Sequence, residues 1–154
     1  MSTPPWAWSV RYSTPSAPST RAALLTGCYP RRVGNEVWVH RADSRSGIHP
    51  EELTIAELLK DNGYATACIG KWHLGTLPQF HPLQRGFDEF WGFTGGGHNY
   101  FPTPPGKGYH APIECNYREP QPITYLTDDI GSEAVDFVHR NRSKPFFLFV
   151  SFNA

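Results

Sequence analysis

The segment that most limits what this chain can become is Phe146-Phe147-Leu148-Phe149-Val150-Ser151-Phe152, a nearly unbroken apolar run directly after Lys144-Pro145. A strand with one face in water alternates apolar and polar residues. An uninterrupted run needs cover on both faces, which is how strands inside parallel sheets read. The run follows an amphipathic helix that Thr127 or Asp128 opens, with Ala134, Val135 and Val138 inward, Phe137 assisting, and an end near Asn141. The same order occurs earlier. Thr54-Ile55-Ala56-Glu57 is a capping box, Ile55, Leu58 and Leu59 keep helical spacing, and Gly63 provides a stop before the β-prone stretch Tyr64 to Ile69. Helix and strand alternate, which predicts an α/β fold with a mostly parallel central sheet.

Composition narrows the partners. Lys plus Arg and Asp plus Glu both number 14, so no net field draws the chain to nucleic acid or to an anionic membrane. No stretch is long and apolar enough to span a bilayer, and Met1 to Ser19 lacks the basic start and apolar run of a signal peptide. Compartment and oligomeric state stay open. The 15 prolines and 14 glycines argue for long ordered loops, above all Pro78 to Ile123, which reads as an aromatic, glycine-rich pocket wall with little regular structure. Val33 to Pro50 reads as loop with a short extended piece at Val37-Trp38-Val39. Residues 1–20 are rich in Pro, Ser, Thr and Trp without periodicity and are set apart from 21–154. Cys28, Cys68 and Cys115 form no Cys-x-x-Cys pair and are read as small buried or half-buried residues. Asn141-Arg142-Ser143 fits a glycosylation tripeptide, which means nothing without a secretory route.

The chemistry concentrates where the Tyr64–Ile69 strand ends, in Gly70-Lys71-Trp72-His73-Leu74-Gly75. In extended backbone Lys71 and His73 leave the same face and could grip one anion together. The end of a strand is also where α/β proteins place ligand residues. Asp128 and Asp129 resemble a metal pair, yet they suit a helix N-terminus, where the dipole favours acidic side chains. A short apolar helix through Leu25, ended by Gly27, brings in Arg21.

Several segments resemble the sulfatase family. Arg21-Ala22-Ala23-Leu24-Leu25-Thr26-Gly27 is similar to the second half of that family's signature, which reads Cys, any residue, Pro, Ser or Thr, Arg, three residues, Leu-Thr-Gly. Gly70 to Gly75 matches a further family segment, and Gly86 to Phe93, Tyr125 to Asp128 and Lys144 to Leu148 are similar to others. The resemblance implies an alkaline-phosphatase-like α/β sandwich that hydrolyses a sulfate ester on a sulfated small molecule or glycan through a formylglycine nucleophile, with Ca2+ as cofactor. It implies that Arg21 supports the formylglycine and the metal-side geometry, that Lys71 neutralises sulfate oxygens, and that His73 holds the hydrated aldehyde or its sulfate ester. His98 is a substrate contact or a loop histidine with structural hydrogen bonds.

Two alignments compete for the cysteine position. With Thr20 as an inserted residue Ser16 fills it; without a gap Ala17 does, and alanine carries no nucleophile. Pro18 suits a first helical turn, which would let the loop before it absorb the extra residue. The family's calcium ligands, an Asp-Asp pair and a later Asp with Asn or His, have no counterpart here. The expectation is therefore a partial sulfatase domain, truncated at both ends, with little or no activity of its own. The rival readings are a non-catalytic binding module or degenerate product, and a phosphatase or phosphodiesterase of the same superfamily.

Overall fold

The computed structural model describes residues 17–33, 45–104, 107, 112–118 and 122–153. Among these residues the fold is carried by α1 (Ala17–Thr26), α2 (Ile55–Asp61), β1 (Ala65–Lys71), β2 (Glu89–Phe93), β3 (Glu114–Cys115), α3 (Leu126–Asn141) and β4 (Phe146–Ser151). The strands lie in the order β3-β2-β1-β4. β1 pairs parallel with β2 and β4, and the two-residue β3 pairs antiparallel with β2. The result is an α/β fold with a mixed, mostly parallel sheet.

Side-chain alternation along the strands builds two cores. Ala65, Ala67 and Ile69 of β1, with Trp91 and Phe93 of β2, pack against Leu126, Ile130 and Phe137 of α3. Cys68, Phe90 and Phe149 face the other way, toward Ala22 and Leu25 of α1 and Ala56 of α2. The strands are thus covered on both faces.

The capping box of α2 forms as its spacing predicts. Thr54 accepts from the Glu57 amide at 3.1 Å, and the Glu57 carboxylate accepts from the Thr54 amide at 2.7 Å. The Thr54 hydroxyl also donates to the Arg85 carbonyl at 3.0 Å. Thr54→Ala is expected to lower the urea midpoint by an amount equivalent to about 1–2 kcal/mol, with an unchanged slope. An unaltered midpoint would show that the cap is dispensable.

Three expectations need correction. Pro78 to Ile123 contains β2, an inner strand of the sheet, because Glu89–Phe93 draws its stability from pairing with β1 and not from its own short pattern. Val135 and Val138 are not turned inward: they are 54% and 37% exposed, while Leu126, Ile130, Phe137 and Asn141 form the buried stripe. Among the described residues β4 has β1 as its only strand neighbour, and there Phe146, Phe147, Leu148 and Val150 are half-buried rather than fully enclosed. The extended piece expected at Val37 to Val39 lies outside the described residues, as do residues 1–16.

Candidate anion site at the C-terminal edge of the sheet

The C-terminal ends of the parallel strands gather the chemistry-bearing residues. Lys71 is the last residue of β1, and Gly70 before it lies in register between Gly92 of β2 and Ser151 of β4. Lys71 is buried and makes no ion pair among the described residues. Trp72 turns into the core, where its indole N–H donates to the Phe80 carbonyl at 2.8 Å and its ring meets Phe87 edge-on. This explains the tryptophan between the two polar residues: it anchors the strand end.

His73 corrects one inference from spacing. The strand stops at Lys71, and His73 stands at φ 58°, in the left-handed region, so the two side chains are not presented by continuous extended backbone. Its amide donates to the Thr94 carbonyl at 3.2 Å, and the imidazole is buried. Gly96 lies against that ring, since a Cβ at this position would come within 2.8 Å of His73 Nε2. A non-glycine residue held at positive φ stores strain, and such strain collects at sites that need a fixed side chain.

Arg21 arrives from the opposite end of the sequence. Ala22 and Leu25 of α1 are fully buried in the core, and this seating brings the Arg21 guanidinium to the end of β4. There Nε and Nη2 both donate to the Ser151 hydroxyl, at 3.0 and 2.7 Å. Ser151 and Asn153 are site-forming residues that sequence reading missed, because nothing local marks a serine at the end of an apolar strand. Asn153 brackets the His98 backbone, donating to its carbonyl at 2.7 Å and accepting from its amide at 3.3 Å. His98 Nδ1 donates to the Asn99 carbonyl at 2.7 Å, and its ring lies 5.5 Å from that of Phe93.

The electrostatics suit an anion. Burial lowers the pKa of Lys71, and the nearby Arg21 charge lowers it further. Burial also lowers Arg21, an effect partly opposed by Cys68. The Cys68 thiol is pushed well above its ordinary value by burial, with Arg21 pulling the other way, so it stays neutral beneath the site. Two desolvated cations side by side are costly alone and favourable once a doubly charged oxyanion lies between them.

Ser16 lies outside the described residues. Within them α1 runs from Ala17, so Thr20 sits inside the helix. Asp129 accepts from the Thr124 amide at 2.8 Å and from its hydroxyl at 2.9 Å, which occupies it at the start of α3. Among the described residues no group of three or more His, Cys, Asp and Glu could hold a metal ion. Those residues by themselves do not fit a calcium site built from six or more oxygens. All three cysteines are unpaired thiols, Cys68 buried and Cys28 and Cys115 half-buried.

A mostly parallel α/β sheet thus brings Arg21 and Lys71 to its C-terminal edge, where α/β proteins place ligand residues. The family model described as Sulfatase matches residues 9–154, and this chain belongs to the sulfatase family. It is 35% identical over 162 residues to human N-acetylgalactosamine-6-sulfatase, covering 92% of this chain and 31% of that protein. Human steryl-sulfatase is 42% identical over 93 residues, covering 53% of this chain and 16% of the relative. Among solved structures, Ps i-CgsB in complex with k-i-k-neocarrahexaose superposes with a TM-score of 0.81 at 40% identity, covering 90% of this chain and 34% of the other. The chain therefore spans about a third of the length of N-acetylgalactosamine-6-sulfatase and of Ps i-CgsB. No helix among the described residues is long and apolar enough to cross a membrane.

Proposed function

We propose that the C-terminal edge of the sheet is the sulfate-gripping part of a sulfuric ester hydrolase site whose substrate is a sulfated small molecule or glycan. The observation that carries this reading is the convergence of Arg21 and Lys71, from segments fifty residues apart, on one buried strand end. Lys71 neutralises sulfate oxygens, His73 holds the group next to the reacting sulfur, and Arg21, steadied by Ser151, keeps the nucleophile side in place. A formylglycine at the position of Ser16 would supply the nucleophile. Complexes of solved relatives with k-i-k-neocarrahexaose and with D-glucosamine-2-N,6-O-disulfate support a sugar as the carrier of the sulfate. The division of the chain at residue 20 belongs to the same proposal as a change of composition, inside a family match that begins at residue 9.

Sulfate titration by calorimetry tests the anion site. Lys71→Ala is expected to weaken binding by about tenfold, the scale of one charge-assisted contact. Affinity should fall as pH rises through the alkaline range below the ordinary lysine value of 10.5, since bound sulfate favours protonated Lys71 whereas the free site has begun to lose its proton. The sign for stability is the opposite: without sulfate the unfolded chain binds more protons across that window, so stability rises with pH there. Sulfate binding that ignores both Lys71→Ala and pH would sink the reading. For the 154-residue chain alone, little or no turnover of an aryl sulfate is expected even with calcium, and turnover that disappears in Arg21→Ala would overturn that expectation.

A further inference from the structure

Beside the anion site lies an aromatic surface to which none of the roles above assigns a purpose. Phe101 and Tyr125 stack at 5.0 Å between ring centroids with planes 25° apart, and Tyr100 lies 6.2 Å from Tyr125. The three rings, with Asn99 and Thr103, line an open cleft of 470 Å³. Phe101 is 63% exposed and Tyr100 38%, an unusual exposure for large rings that already contact one another.

Two of the three residues are tied down through their backbone. The Tyr100 carbonyl accepts from the Leu126 amide at 2.8 Å, and the Tyr125 carbonyl accepts from the amides of Asp128 and Asp129, so both residues are clamped to the first turn of α3. The aromatic surface is also continuous with the anion site. Phe93, which pairs in register with Lys71, carries the His98 ring at 5.5 Å, and His98 Nδ1 donates to the carbonyl of Asn99 at the cleft rim.

The lining selects a chemistry. Every side chain named in the cleft is uncharged, so it does not extend the sulfate-binding surface. The lining combines flat rings with the phenols of Tyr100 and Tyr125 and with Asn99 and Thr103, whose amide and hydroxyl bond to each other. A sugar ring fits that pattern: its C–H face covers an aromatic ring while its rim hydroxyls need donors and acceptors.

Resting on the sulfatase reading above, we propose that Tyr100, Phe101 and Tyr125 form a stacking subsite for an uncharged sugar ring of a sulfated saccharide whose sulfate lies at Lys71. The subsite sets preference for a saccharide over other sulfate esters; it does not take part in the chemistry.

The test is calorimetry on the 154-residue chain with three probes: sodium sulfate, k-i-k-neocarrahexaose and 4-nitrophenyl sulfate. The oligosaccharide is expected to bind more tightly than sulfate. Phe101→Ala and Phe101→Leu should each weaken the oligosaccharide about fivefold, the scale of a single aromatic contact, and leave sulfate affinity unchanged. Lys71→Ala should weaken every probe. Phe101 is exposed, so both variants should melt as the parent does. Oligosaccharide affinity unchanged in both Phe101 variants, with sulfate still sensitive to Lys71→Ala, would overturn the subsite and leave the anion site standing. Full affinity in Phe101→Leu alone would rule out ring stacking, and an equal loss for 4-nitrophenyl sulfate would overturn the sugar assignment. If none of the probes binds, both readings fall together.

Discussion

Gly70→Ala is expected to destabilise the chain by about 3–5 kcal/mol, the sum of backbone strain and overpacking between paired strands. Gly70 stands at φ 102°, and an added Cβ would lie 2.2 Å from the Ser151 carbonyl oxygen and 3.3 Å from Ile130 Cδ1. The Ser151 carbonyl cannot yield cheaply, because it is backbone held in β4, whereas Ile130 Cδ1 is a side-chain end that can give. The displacement would also pull the Ser151 hydroxyl from the Arg21 guanidinium, so sulfate affinity should fall together with stability. Gly63→Ala separates the two causes: it has φ 82° with nothing within 4 Å of its Cβ position, so only conformational strain of about 1–2 kcal/mol applies. Equal losses for the two variants, read from denaturant midpoints, would show that the close strand approach at Gly70 is unimportant.

The second large effect lies away from the anion site. Arg85 is 1% exposed, and its guanidinium donates to the Pro50 carbonyl at 2.6 Å and to the Glu52 carbonyl, with the Glu57 carboxylate 3.6 Å away. This one side chain ties the approach to α2 to the turn before β2. Arg85→Met should lose about 2–3 kcal/mol, because it leaves two part-buried carbonyls without their charged donor. Arg85→Lys should recover little of this, since a single ammonium cannot reach partners on diverging sides as a guanidinium fork does. A thermal midpoint within a degree of the parent for Arg85→Met would contradict the assignment.

What could be read locally was read correctly where the interaction itself is local. The capping box joins residues three apart, and Thr54 and Glu57 bond as the spacing requires. The strand after Gly63 is where the pattern puts it, extended by Gly70 and Lys71. The errors have one physical origin, the dependence of burial on neighbours remote in sequence. Val135 and Val138 are apolar and helical, but which stripe of α3 faces inward is decided by where the sheet lies, and the sheet takes Ile130 and Phe137. β2 has too few residues to announce itself and exists because β1 and β3 flank it. The extended geometry assumed for Lys71 and His73 fails because the chain leaves the sheet after Lys71 and His73 takes φ 58°.

The sequence by itself determined the fold class, the family and the residue types of the site, since helix caps, strand runs and the Arg21 and Gly70 to Gly75 segments are written in short stretches. The tertiary structure alone decided how they meet: Ser151 under Arg21 across 130 positions, Asn153 around His98, and three aromatic rings assembled from both sides of residues 105–121. The reason is that a parallel sheet collects the ends of strands distant in sequence at one edge, and no local pattern records which ends those are.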